Sequence, residues 1–233
     1  MFATISDRLI RGKPTDDAVE EGDASRASAR ALRLDHQLPD YHAVVRRHRV
    51  VDAPVEETYD AMLSVDLTDL GPLVGALGAL RAVPIRVGAW FRGTAEPEPE
   101  SISFGDLPSR GAWVRLDAVD GEEFVFGAVG TVWRPDIEWV DLDADDFRAF
   151  DRPGYAKIAA GFSFRPYGRG RTLVTYEART AGTDATAERR FGRYWRLVCP
   201  FVGYILGRVL TAIAVEAERN SRSEAERNSR SVA

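Results

Sequence analysis

The sequence predicts an α+β fold, with long antiparallel ribbons followed by one long C-terminal helix. Residues 113–133 and 156–180 alternate apolar with polar side chains, are rich in aromatic and β-branched residues, and reverse at glycine-containing turns. Residues 184–220 instead repeat apolar side chains at spacings of three and four. One strand and two short helical stripes precede both.

The chain has 233 residues, 45% hydrophobic and 29% charged, enough for one sizeable core but short for two full domains. Its 36 acidic and 31 basic side chains leave a net charge of -5. That balance argues against nucleic acid as the main partner, because phosphate binding needs net or clustered positive charge. Cys199 is alone, so one chain builds neither a disulfide framework nor a thiolate metal site. The opening MFATISDRLIRGK turns charged before an apolar core of signal-peptide length accumulates, and the expected location is the cytoplasm.

Three segments are expected. Residues 1–39 mix Asp, Glu, Arg, Ser and Ala and have too little apolar area to offset the entropy of ordering, which predicts a mobile leader. Within it, Ala27, Ala31 and Leu34 mark a thin helical face over 25–34. Residues 40–220 form the folded domain, and 221–233 a flexible tail. The octapeptide EAERNSRS at 216–223 recurs unchanged at 224–231, with almost no apolar surface.

Inside the domain, 41–51 reads as a first strand closed by Asp52 and Pro54. A helix follows, with Pro54 at its start, Glu56 and Glu57 at the positive end of the dipole, and Val55, Tyr59, Met62 and Leu63 in one stripe. Leu70, Leu73, Val74, Leu77 and Leu80 predict a second helix ending before Pro84. Strands 113–118 and 123–133 flank Asp120 and Gly121, where positive φ is tolerated. Strands 156–165 and 171–180 flank PYGRG. Asp184 is a candidate N-cap for a helix carrying Phe191, Trp195, Val198, Val202, Ile205, Val209 and Ile213. From there to Asn220 it would span roughly 55 Å, with a kink expected at Pro200.

This order of elements, together with RVVDAPVEETYDAM, GAVGTVWRP, FRAFDRPGYAKIAAGFSF and ERRFGRYWRLVCPFVGYILGRVL, resembles the helix-grip fold of the START-like (SRPBCC) superfamily, which includes polyketide cyclases, aromatase-like enzymes and lipid carriers. The resemblance covers about three quarters of the chain and carries fold information better than catalytic information, because that superfamily has no shared catalytic motif. It implies a curved sheet wrapped around the last helix with a cavity between them. On 156–165, Lys157, Ser163 and Arg165 alternate with Ile158, Ala160, Phe162 and Phe164, so the second set is expected inside. Phe124, Phe126 and Val132 are placed on the same face, continued by Ala112, Val114 and Leu116. The expected ligand contacts are Phe124, Phe126, Phe162, Phe164, Tyr176, Phe191 and Trp195. Aromatics at such positions also serve simply as core.

Few residues suggest chemistry. His42 and His48, six apart on one strand, stand about 20 Å apart, too far to share a metal, and His36 belongs to the leader. Asp141, Asp143, Asp145 and Asp146 invite a calcium reading, but an EF-hand from Asp141 wants glycine at 146 and glutamate at 152, where Asp146 and Arg152 stand. A short helix capped by Asp143 or Asp145 explains them better. Glu177 and Arg179 share a face and are expected to be solvated, although burial inside would make them functional candidates. Tyr155 and Lys157 also share a face, with no phosphate loop to accompany them. No zinc signature, nucleophile elbow or glycine-rich phosphate loop is present, and no metal or cofactor is expected.

Three functions stay open. The first is binding of a small hydrophobic or aromatic molecule, lipid-like or polyketide-like, with no assigned catalytic residue. The second is a cyclase, dehydratase or aromatase whose best acid-base candidates are Glu177, Tyr176 and Tyr155. The third is an interaction protein whose last helix dimerises or touches a membrane peripherally. Residues 195–215 are apolar around much of the helix and contain Gly203 and Gly207, yet Arg196, Arg208 and Pro200 and the strands upstream favour a soluble helix over a membrane span.

Overall fold

The strands run antiparallel throughout, and the long C-terminal helix lies across one face of the sheet they form. A computed structural model describes residues 32–67, 103–106 and 113–231, with side chains as far as residue 227. In chain order the elements are α1 (Arg33–Gln37), β1 (Ala43–Val51), α2 (Val55–Ser64), β2 (Val114–Val119), β3 (Glu123–Gly130), β4 (Trp139–Val140), α3 (Ala144–Ala149), β5 (Ala156–Pro166), β6 (Thr172–Gly182) and α4 (Ala185–Ser231). The sheet order is β1-β6-β5-β3-β2, with β4 paired to β3. The second predicted helix, at 70–80, lies outside the described residues, as do Ala112 and most of the leader.

Local chemistry sets the turns. Gly121 adopts φ 72° between β2 and β3, and Gly168, Arg169 and Gly170 all have positive φ between β5 and β6, so both reversals use the residues the sequence supplied for them. Asp184 caps α4: its Oδ1 accepts the amide protons of Thr186 at 2.5 Å and Ala187 at 2.9 Å, and its Oδ2 accepts that of Gly154. These backbone donors, Ala187 first, hold its carboxyl below the usual carboxylate range. The helix continues through Pro200 and reaches Ser231, so both copies of the octapeptide are helical and the expected end at Asn220 is passed by eleven residues.

Two layers of packing follow from strand alternation. On the inner face, Phe124, Phe126, Phe162, Phe164, Val174 and Tyr176 meet Leu206, Val209, Leu210 and Ile213 of α4 and Tyr59 and Met62 of α2. On the outer face, Val125, Val129, Tyr155 and Ala159 are covered by Leu34 and Leu38 around α1 and by Phe147 of α3. β3 is therefore buried on both sides along its whole length.

Two expectations are corrected here. Residues 32–39 do not continue the leader as loose chain: α1 forms, and Leu34 and Leu38 are almost fully buried. Val114 and Leu116 lie on the outer face, because the pairing of β2 with β3 shifts by one residue between Arg115 and Asp117. Ala118 opposes Phe124, but Arg115 opposes Phe126, so the bulge reverses the face of everything on β2 before it.

Candidate functional site

The inner face carries a row of rings across three strands. Phe124 of β3 pairs with Phe162 of β5, which in turn pairs with Tyr176 of β6, so all three project toward α4. Phe162 and Tyr176 stack with centroids 4.0 Å apart and planes 18° apart. Phe126 and Phe164 flank Phe162 with centroids 6.4 and 6.3 Å away. Around this row, Tyr59 meets Phe164 edge-on at 5.3 Å, Phe104 meets Phe162 edge-on at 4.9 Å, and Trp113 tilts against Phe126 at 5.5 Å.

Of the seven expected contact residues, five are brought together in this wall. Phe191 and Trp195 stack on each other at 5.5 Å in a separate cluster with Ala43, Val132 and Ala156, nearer the start of α4. The sequence pattern did not single out Tyr59, Phe104 or Trp113 as partners of the wall. In the sequence Tyr59 is one stripe residue of its helix among several, and Phe104 follows an irregular stretch with no periodicity.

Tyr176 and Tyr59 bring phenols to this apolar wall. Burial holds the Tyr176 proton far more tightly than in a free tyrosine, so at neutral pH this phenol offers a hydrogen bond and does not act as a base. Its hydroxyl makes no hydrogen bond to the described residues. Tyr59 is pushed up to about 12 by burial and then by Asp120, to whose Oδ1 it donates at 3.2 Å.

Glu177 and Arg179 correct the sequence reading: both are buried, 2% and 4% exposed, and both lie on the outer face. Arg179 donates through Nε to Glu177 Oε1 at 2.7 Å, through Nη2 to Asp35 Oδ1 at 2.6 Å and through Nη1 to the Leu38 carbonyl at 3.2 Å. Arg46, opposite Glu177 on β1, donates to Glu177 Oε2 at 2.5 Å. The Arg179 guanidinium also lies over the Tyr41 ring, its Cζ 4.6 Å from the centroid. Burial works against the Arg179 charge, and Glu177 and Asp35 more than offset it. The network clamps α1 onto the sheet and points away from the aromatic wall.

Tyr155 is also an outer-face residue, hydrogen-bonded to Glu138 and Arg152, and Lys157 sits over the Phe147 ring of α3. Of the three acid-base candidates, Tyr176 alone reaches the inner face. His48 Nδ1 lies 2.8 Å from the Thr175 hydroxyl, and His42 Nε2 lies 3.4 Å from Glu188, each at the surface. Asp143 stands at the N-cap of α3 with Asp145 and Asp146 in its first turn. Among the described residues no group of three or more His, Cys, Asp or Glu is placed to hold a metal ion.

Two hollows bounded by described residues lie apart from the contact between the aromatic row and residues 206–213 of α4. One, of about 10 Å³, is under α1 between Leu34, Glu123 and Glu177. The other is an open polar groove of about 410 Å³ bounded by Asp52, Glu218 and Arg222.

The fold and this interior define an α+β protein whose open antiparallel sheet presents an aromatic face to a long helix. No family model matches the chain, and no curated protein matches it. Among solved structures, a protein of Chromobacterium violaceum is 15% identical over 75% of this chain and 97% of its own, with a TM-score of 0.32. A conserved protein of Geobacillus kaustophilus is 11% identical over 76% of this chain and 96% of its own, at 0.32. A hypothetical protein of Helicobacter pylori is 8% identical over 86% of this chain and 99% of its own, at 0.38. Likeness at this level carries no argument about function.

Proposed function

We propose that this protein is a START-like (SRPBCC) helix-grip protein that binds a small hydrophobic or aromatic molecule between the inner face of the sheet and α4. The observation that carries the reading is the row Phe124, Phe162 and Tyr176, flanked by Phe126 and Phe164. These rings are almost fully buried against α4 and α2, so a flat or aliphatic guest would enter by parting α4 from the wall. It would then meet ring faces, with the Tyr176 hydroxyl as one polar handle for orienting it. Phe191 and Trp195 stand nearer the start of α4 and would meet the far end of a longer ligand. No metal or cofactor enters this reading, and the expected compartment is the cytoplasm. Of the candidates Glu177, Tyr176 and Tyr155, a cyclase or aromatase reading keeps Tyr176 alone, as a proton donor, because Glu177 and Tyr155 face the other way.

Native mass spectrometry of protein purified from its own host tests this. The expected result is a discrete adduct of a few hundred daltons, released by organic solvent and identified as a lipid or aromatic. Repeated preparations that carry no adduct, and that show no binding when supplied with a panel of lipids and polycyclic aromatics, would overturn the reading.

A further inference from the structure

The inner side of α4 covers the sheet, but its outer side between Arg190 and Tyr204 is unusual for a helix facing water. Leu197, Phe201 and Tyr204 are 72%, 43% and 40% exposed and are spaced by four and three residues. Together with Arg190 and Arg193 they occupy an arc of about 80°, so they form one stripe. From Arg189 to Val215 the helix holds five arginines and no acidic residue, although the whole chain carries a net charge of -5. Arg189, Arg190, Arg193 and Arg196 are exposed. β1 adds two exposed arginines along the same helix: Arg49 donates to Thr211 at 3.2 Å, and Arg47 lies across the space left by Gly203.

We propose that this stripe docks peripherally on a bilayer surface that carries anionic phospholipid. Apolar and aromatic side chains flanked by arginine are the composition that seats a helix at the headgroup boundary, and the local positive charge complements anionic lipid. A second copy of the chain is a poorer occupant, because a two-fold contact would bring the two arginine clusters together. Full insertion is disfavoured by the opposite side of α4. The helix is long and apolar enough to cross a membrane, but Leu206, Val209, Leu210 and Ile213 are buried against the sheet and would have to leave it. Docking on the surface keeps those contacts. Docking through this outer stripe does not depend on what the interior binds.

The test is flotation of the full chain with vesicles of phosphatidylcholine alone and of phosphatidylcholine with about 30% phosphatidylglycerol. The expected partition is about tenfold or more higher on the anionic vesicles and falls severalfold when salt is raised from about 50 to 500 mM. L197E and F201E, both at exposed positions, should abolish binding without changing the circular dichroism spectrum, and the pair R193E and R196E should weaken it strongly. Equal partition to both vesicles, or no binding to either, overturns the proposal. So does binding that resists high salt and alkaline carbonate, which is the mark of a spanning helix, and so does a concentration-dependent dimer dispersed by F201E with no vesicle binding.

Discussion

Phe162 and Tyr176 are direct neighbours across β5 and β6, and their rings stack face to face 4.0 Å apart. Phe162 is also a direct neighbour of Phe124, so it is the centre of the inner wall. F162A should lower unfolding free energy by about 3–5 kcal/mol, the range for deleting a buried ring. Y176F keeps the stack and should shift stability by no more than about 1 kcal/mol. Urea titration measures both, and a large loss in Y176F would show that the hydroxyl supports the fold.

On the opposite face, Arg179 holds Glu177, Asp35 and the Leu38 carbonyl together. R179A leaves the Glu177 carboxylate buried with Arg46 as its remaining charged partner, and should destabilise by about 3–5 kcal/mol. R46A should do less, because Arg46 is half exposed and Arg179 still neutralises Glu177. The paired replacement E177L with R179M should be milder than R179A, since no buried charge is left unpaired; Arg46 and Asp35, which lose these partners, are each about half exposed.

The same network gives α1 a structural role. A chain starting at residue 40 should melt well below one starting at residue 32, because it loses Leu34 and Leu38 from the core at about 1.5–3 kcal/mol each. It also uncovers Arg179. Equal melting temperatures would show that α1 contributes nothing.

Alkaline pH should weaken the fold. Burial raises Tyr176, and raises Tyr59 to about 12, against about 10 for tyrosine in the unfolded chain. Between those values the unfolded state gives up protons that the native state keeps, so this stabilisation is complete below pH of about 10 and is lost as pH climbs through the folded values. Tyrosinate absorbance followed alongside circular dichroism should show the Tyr59 and Tyr176 phenols ionising only with unfolding, so that Y176F has one such late phenol fewer than the wild type.

Much of the architecture was legible because its periodicities are strong. β5 alternates cleanly, so Phe162 and Phe164 could be placed inside, and α4 shows its stripe over many turns. The failures have local causes. A one-residue bulge at Leu116 reversed the face of Val114, which alternation alone could not reveal. Glu177 and Arg179 were correctly put on one face, but that face looked solvated because its cover, α1, has only five residues and a weak apolar signal. Tyr155 was obscured in the same way by α3. β4 is two residues long, too short for any pattern. Gly127 shows how closely that outer cover packs: a Cβ there would come within 2.9 Å of Phe147 and within 2.7 Å of Leu116.

The most direct test of the central claim is saturable binding of anilinonaphthalene sulfonate, followed by fluorescence, to the wild type, A160L, A178L and F201E. Ala160 and Ala178 project from the inner face toward the wall, whereas Phe201 is on the outer stripe of α4. Interior binding predicts one site per chain, weakened about tenfold or more by the added methylenes in A160L and A178L and unchanged in F201E. Binding that survives both inner-face variants but disappears in F201E would contradict it.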